Sequence, residues 1–515
     1  MSRRILPAAL LVALGAAAFA GGMSQRAAAQ AGPGPTPAPS YAPIPRARDA
    51  VTRHTIVLGG KRIAYTARAG RLLLHDANGA PTASVFYVAY TADHSDAKRR
   101  PVTFLWNGGP GSSTIWLHMG SFGPQRVAVP KDGSQPPPTA PLVTNESSLL
   151  DTSDLVFVDA VGTGWSRIVA HAKPSDFFGV DEDAHAFAQF IERWATVNSR
   201  WESPKFLFGE SYGTTRAANV SAVLQNDGMA VSGVVLLSSA LDYNFLPIGQ
   251  GPGNDYVYIG YLPTEAAVAW YHHKVAGNPR DLGRFVAEVR AFAGGPYAQA
   301  LMLGDALDAR ARAQIVARLH AYTGLSTDYI ERADLRISPN RFREELLRSE
   351  GQSVGRYDGR YAGHEIDPNG TNPTDDFSDT MTSAAYVAGF YHYAHDVLHY
   401  AEDRPYEVLS LQVNRSWKYQ RTEEDGNAVT VVGDLRSAIV QNPYLHVLSA
   451  NGYFDLATGF YGTEYLLHHM NLTPAESRRV TFAYFASGHE VYLNHDALIQ
   501  FKADLVRFYH DAIPR

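Results

Sequence analysis

Hydrophobic and polar positions divide the chain into three regimes. From Thr55 to Ala92 short alternating runs are broken at Gly59-Gly60 and Asn78-Gly79, dipeptides that favour hairpin turns, and Val85–Tyr90 reads as a strand. This opening is antiparallel β. Predominantly apolar runs follow at Pro101–Trp106, Leu155–Asp159, Phe206–Phe208 and Val234–Leu237, with helical periods over Asp183–Trp194 and Thr214–Gln225. Strands that are apolar throughout and alternate with helices imply a mostly parallel sheet covered on both faces. From about Asn244 to Gly433 helical stretches rich in Tyr and His dominate, with candidate helices at Ala266–Val275, Pro279–Ala293, Ala306–Thr323 and Ser383–Glu402. The α/β pattern resumes with buried strands at Leu445–Ala450 and Val480–Phe485 and a closing helix over Asn494–His510. The expected fold is α/β: a core over 51–243 and 434–515, interrupted by a helical insertion over 244–433. Pockets in open α/β sheets lie at the carboxyl ends of the strands, so the insertion is expected to form a lid or substrate wall.

The amino-terminal segment follows other rules. Arg3 and Arg4 precede an apolar run, Ile5–Ala20, that ends among small residues. Residues 1–30 read as a secretory signal peptide rather than a membrane span, with an uncleaved anchor as the rival. Residues 31–50 form a Pro-rich linker. The mature chain is expected to be exported, periplasmic or extracellular, without stable membrane insertion. With no cysteine, it has neither a lipid attachment site nor a disulfide framework. Stability must come from a large core, which 45% hydrophobic residues and 28 tyrosines can supply. A net charge of −6 with scattered signs argues against a nucleic-acid partner.

Phe206–Phe208 runs into Gly209-Glu210-Ser211-Tyr212-Gly213, and a helix follows. Strand, sharp turn and helix around G-x-S-x-G is the context of a nucleophile elbow, which exposes the serine hydroxyl above the sheet. The competing reading is that Ser211 only caps the helix. A second copy, Gly351–Gly355 around Ser353, follows the charged pattern Arg341–Leu347 and is expected to be a surface loop. Asp455 and His489 each stand just past an apolar run, so the order is Ser, Asp, His, the α/β-hydrolase order. His489 would take the Ser211 proton, and Asp455 would orient the imidazole and stabilise its charge. The oxyanion needs fixed donors: the N–H of Tyr212 is one, and Gly109 in the Gly-rich loop Asn107–Ser113 is placed to give a second.

These stretches, with Val161–Ser166 and Gly488-His489, resemble the serine carboxypeptidase family of the α/β-hydrolase clan. The resemblance covers roughly 100–245 and 440–512. It implies a serine-type carboxypeptidase acting on peptides, with Asn107, Gly108 and Glu210 binding the substrate's terminal carboxylate. Two departures accompany it. Ser112 stands where the family usually has cysteine. The second acid that partners the elbow glutamate in the family falls at Ser121.

No cofactor or metal is expected. His392, His395 and His399 are spaced to share a helix face, but they lack the further ligands of a metal site and read better as part of an aromatic lid helix. Asp367–Asp376 reads as a loop. Three functions stay open: a carboxypeptidase favouring acidic pH, an esterase or acyltransferase using the same triad, and an inactive binding protein. The intact triad argues against the third. Oligomeric state and side-chain preference are not legible.

Overall fold

A computed structural model describes residues 49–130, 135–421 and 429–513. The signal-peptide reading and nearly all of the Pro-rich stretch lie outside the described residues.

Nine strands form the main path of one twisted sheet: β1 Ala50–Leu58, β2 Lys61–His75, β3 Pro81–Ala92, β4 Val102–Trp106, β5 Asp154–Val158, β6 Lys205–Glu210, β7 Gly233–Leu237, β8 His446–Gly452 and β9 Val480–Phe485. Their spatial order is β1-β2-β3-β5-β4-β6-β7-β8-β9, and a short strand at Arg167–Ile168 pairs with β3. Gly59-Gly60 turns β1 into β2, and β1, β2, β3 and β5 pair antiparallel; from β5 onward every pairing is parallel. An antiparallel opening, a parallel core and a helical insertion before the last two strands make an α/β-hydrolase fold.

Apolar residues on both faces of each central strand explain the parallel arrangement. Phe104, Trp106, Leu207, Val234 and Leu236 face one side, packed under α1 (Val180–Val197) and α2 (Tyr212–Asn226). Leu105, Phe206, Phe208, Val235 and Leu237 face the other, packed with the closing helix His495–Ala512. On the first face Trp106 meets Phe187 edge-on and Phe104 meets Trp194, the offset geometry aromatic pairs prefer.

The expected Val480–Phe485 strand exists but is only half buried, because β9 is the edge of the sheet and lacks an outer neighbour. The insertion has its own apolar core, built largely by α3 (Tyr256–Tyr271), α4 (Leu282–Phe292) and α5 (Ala309–Thr323). α3 begins ten residues before the expected Ala266 and runs through Pro263, which propensity disfavours and burial overrides. α5 starts at Ala309 because Asp308 caps it, accepting from the N–H groups of Arg310 and Ala311. The expected Ser383–Glu402 helix is α6, Phe377–His392, followed by a wider turn over Tyr393–Val397. His399 has φ 56°, so the helix has ended and His399 leaves the face of His392 and His395. Those two histidines share the exposed Asp396. No cluster able to hold a metal ion occurs among the described residues, and none of their helices is long and apolar enough to cross a membrane.

Candidate active site

Ser211 sits between β6 and α2 with φ 61° and ψ −130°. A non-glycine residue in that conformation is uncommon and is the strained elbow expected of an exposed nucleophile. It does not act as a cap: its side chain makes no capping bond, and its N–H donates to the carbonyl of Leu237 at 3.0 Å. The flanking glycines are required by distance. A Cβ on Gly209 would lie 1.9 Å from the Gly213 carbonyl oxygen, and one on Gly213 would press on Trp106 at 2.9 Å.

The Gly-rich loop closes on the same point. A Cβ on Gly108 would fall 2.4 Å from the Tyr212 nitrogen, so only glycine lets this loop lie against the elbow. Tyr212 opens α2, which leaves its N–H without an intrahelical acceptor. Gly109 has φ 105°, a conformation glycine adopts without penalty. Asn107 ties loop to elbow: its Nδ2 donates to Glu210 Oε1 at 2.9 Å, and its Oδ1 accepts from the Leu117 N–H. Its carbonyl accepts from Arg216 Nη1 at 2.7 Å, and Arg216, fully buried, pairs with Asp183 at 2.7 Å. Sequence reasoning missed this buried pair, which fixes the loop from below. Residues 407–414 of the insertion hold the loop from above through the bonds Ser113 N–H to Val408 O and Ser410 N–H to Gly111 O.

Asp455 and His489 are brought together at the ends of β8 and β9. His489 Nδ1 lies 2.8 Å from Asp455 Oδ2, and both side chains are 2% exposed. The N–H groups of Ala457 and Thr458 donate to Asp455 Oδ1, and the Thr458 hydroxyl donates to Oδ2. These three donors fix the carboxyl group so that Oδ2 faces His489 Nδ1. His489 Nε2 is buried without a hydrogen-bond partner. No hydrogen bond joins it to Ser211 among the described residues; such bonds are often long in unliganded sites. The insertion steadies this histidine too: the Tyr357 carbonyl accepts the His489 N–H at 2.6 Å, and the Tyr357 ring lies 5.0 Å from the imidazole.

A cavity of about 180 Å³ opens beside these groups, lined by Asn107, Gly108, Gly109, Glu210, His489 and Glu490 together with insertion side chains. Glu490 was the main omission. Ser121 is buried with its hydroxyl donating to the Leu117 carbonyl, and among the described residues no hydrogen bond joins it to Glu210. Glu490 instead brings a second carboxyl to the cavity. Burial raises Glu210 to about 7, opposed chiefly by His489 and by the hydroxyl of Tyr492. Burial, and then the charge of Glu210, hold Glu490 well above the usual carboxylate range. An acid directly after the histidine was the available signal.

Ser353, expected on a surface loop, is buried in a short strand, Gln352–Val354, that pairs with Ala362–His364, and its hydroxyl is bound to Glu365. It is remote from any elbow because no parallel strand feeds it.

The serine carboxypeptidase family model matches residues 67–232, which include the Gly-rich loop and the Ser211 elbow but neither Asp455 nor His489. No curated protein matches the chain. Similar solved structures include a proline iminopeptidase from Mycobacterium smegmatis, at 13% identity over 90% of this chain and 98% of that one, with a TM-score of 0.36. A carboxyl esterase from Bacillus coagulans is similar at 13% identity over 85% of this chain and 97% of that one, with a TM-score of 0.35.

Proposed function

From the match of residues 67–232 to the serine carboxypeptidase family, we propose that this chain removes single residues from the carboxyl ends of peptides through an acyl-enzyme. The observation that carries the reading is the Asn107–Glu210 bond in the same cavity as His489. An amide donor and a protonated carboxyl can together grip a terminal carboxylate, which an internal bond cannot offer.

Ser211 Oγ attacks the last peptide carbonyl while His489 Nε2 takes its proton. Asp455 holds the resulting imidazolium through Nδ1. The N–H groups of Tyr212 and Gly109 receive the oxyanion. Collapse breaks the C–N bond, and His489 returns the proton to the departing amine, which leaves as a free amino acid. Water, deprotonated by His489, then releases the shortened peptide from the serine ester.

Glu210 works in this scheme while it carries its proton, so activity on free acids should favour the acid side of neutrality. Export through the amino-terminal segment would deliver such an enzyme to peptides outside the cytoplasm. An esterase or acyltransferase would use the same triad. Incubating the protein with one peptide as free acid and as amide, and weighing the products, separates them. Stepwise loss of single residues from the acid alone supports the carboxypeptidase; equal attack on both, or turnover of esters only, overturns it.

A further inference from the structure

Asp379 and Ser383 of α6 complete the cavity, with Trp116 and Leu409 as its apolar walls. Among the described residues its lining contains no lysine or arginine and, beyond Glu210, two more acids. Glu490 is 7% exposed, and its Oε2 is buried without a hydrogen-bond partner. Asp379 lies in the first turn of α6, where its Oδ1 accepts from the Ser383 hydroxyl at 3.0 Å.

The charges facing these two carboxyls leave the cavity acidic. Asp375 and Asp376 precede Asp379 on the same turn. Arg356, over the Tyr357 ring at 5.0 Å, is the cation that faces them, and its charge partly offsets the rise of Asp379. Arg360 is already paired with Asp358 at 2.5 Å. The charges of Glu210, Asp379, Asp376 and Asp358 each disfavour ionisation of Glu490, and a cation placed among them would reverse that.

Building on the carboxypeptidase reading, we infer that the cavity selects a leaving residue with a cationic side chain, lysine or arginine, through Asp379 and Glu490. With the terminal carboxylate on Asn107 and Glu210 and the scissile carbonyl on Ser211, the leaving side chain has the remaining wall to meet. That wall carries the two carboxyls. The methylene stem of a lysine or arginine lies along Trp116 and Leu409 while its charged head reaches the acids. An acidic leaving residue is rejected by like charge.

The test compares kcat/KM for N-blocked dipeptide acids ending in lysine, Nε-acetyl-lysine, norleucine and glutamate. Charge-assisted hydrogen bonds are worth about ten- to a hundredfold, so lysine should exceed norleucine and acetyl-lysine by about tenfold or more, with glutamate slowest. Asp379→Asn, which keeps the Ser383 contact, should bring the lysine to norleucine ratio near one, and Asp379→Lys should move the preference toward glutamate. Equal rates on lysine and norleucine in the wild-type protein, or a ratio unmoved by Asp379→Asn, overturn the inference and leave the carboxypeptidase intact. Failure to trim any of the four overturns the carboxypeptidase itself. The acetyl-lysine comparison needs no variant and so decides the matter even if one fails to fold.

Discussion

Replacing Glu210 with glutamine removes a group that burial makes costly to ionise. Glu210 is fully buried, and its carboxyl rises from 4.5 to about 7, burial being the main cause. Below pH 4.5 it is protonated in folded and unfolded chains alike. Between 4.5 and about 7 the unfolded chain releases the proton and the folded chain keeps it, so stability falls as pH rises; above about 7 both are ionised and the loss is complete. At about 1.4 kcal/mol for each tenfold change in the ionisation constant, the loss comes to about 3 kcal/mol. Glutamine keeps an acceptor for Asn107 Nδ2, now at 2.9 Å from Oε1, and never ionises. Glu210→Gln should therefore match the wild type near pH 4.5 and exceed it by about 3 kcal/mol at pH 7.5 and above. Urea unfolding of both proteins, followed by fluorescence at four pH values from 4.5 to 7.5, measures the difference. A gap that does not grow with pH, or a variant weaker at pH 7.5, would refute the reasoning. The same substitution should flatten the rise of KM for free-acid substrates on the alkaline side.

Three further outcomes are expected. A serine-directed phosphonate should label Ser211 and spare the buried Ser353, which peptide mapping of the modified protein reads directly. His489→Ala and Asp455→Asn should each lower kcat by about 10⁴-fold, with the double variant little worse than His489→Ala, because triad members act as a unit; near-normal turnover in either would remove that residue from the triad. Arg216→Ala leaves Asp183 as an unpaired buried carboxyl and should destabilise the protein by about 3–5 kcal/mol, as broken buried pairs do; an unchanged melting temperature would show that the pair does not anchor the Gly-rich loop.

The local features of the site were legible in the chain. Turn dipeptides, apolar strands and the G-x-S-x-G spacing are properties of neighbouring residues, and the backbone rules that read them act over a few positions. Glycine at 209 follows from the same rules, since a Cβ there would strike the Gly213 carbonyl oxygen within the turn itself, whereas glycine at 108 and 213 answers to the close approach of the Gly-rich loop and its strand to the elbow. What depended on distant contacts could not be read. β9 resembles an interior strand in composition, and only its position at the sheet edge leaves it half exposed. Ser353 shares its motif with Ser211, yet it pairs with the nearby strand Ala362–His364 in a two-stranded ribbon instead of ending a strand of the main sheet. The family resemblance put Ser121 where a second acid would partner Glu210; the fold brings Glu490 to the cavity of Glu210 instead, from 280 positions further along, together with Asp379 of the insertion. A carboxyl's ionisation depends on which other groups share its water-poor surroundings, and only the tertiary structure decides that.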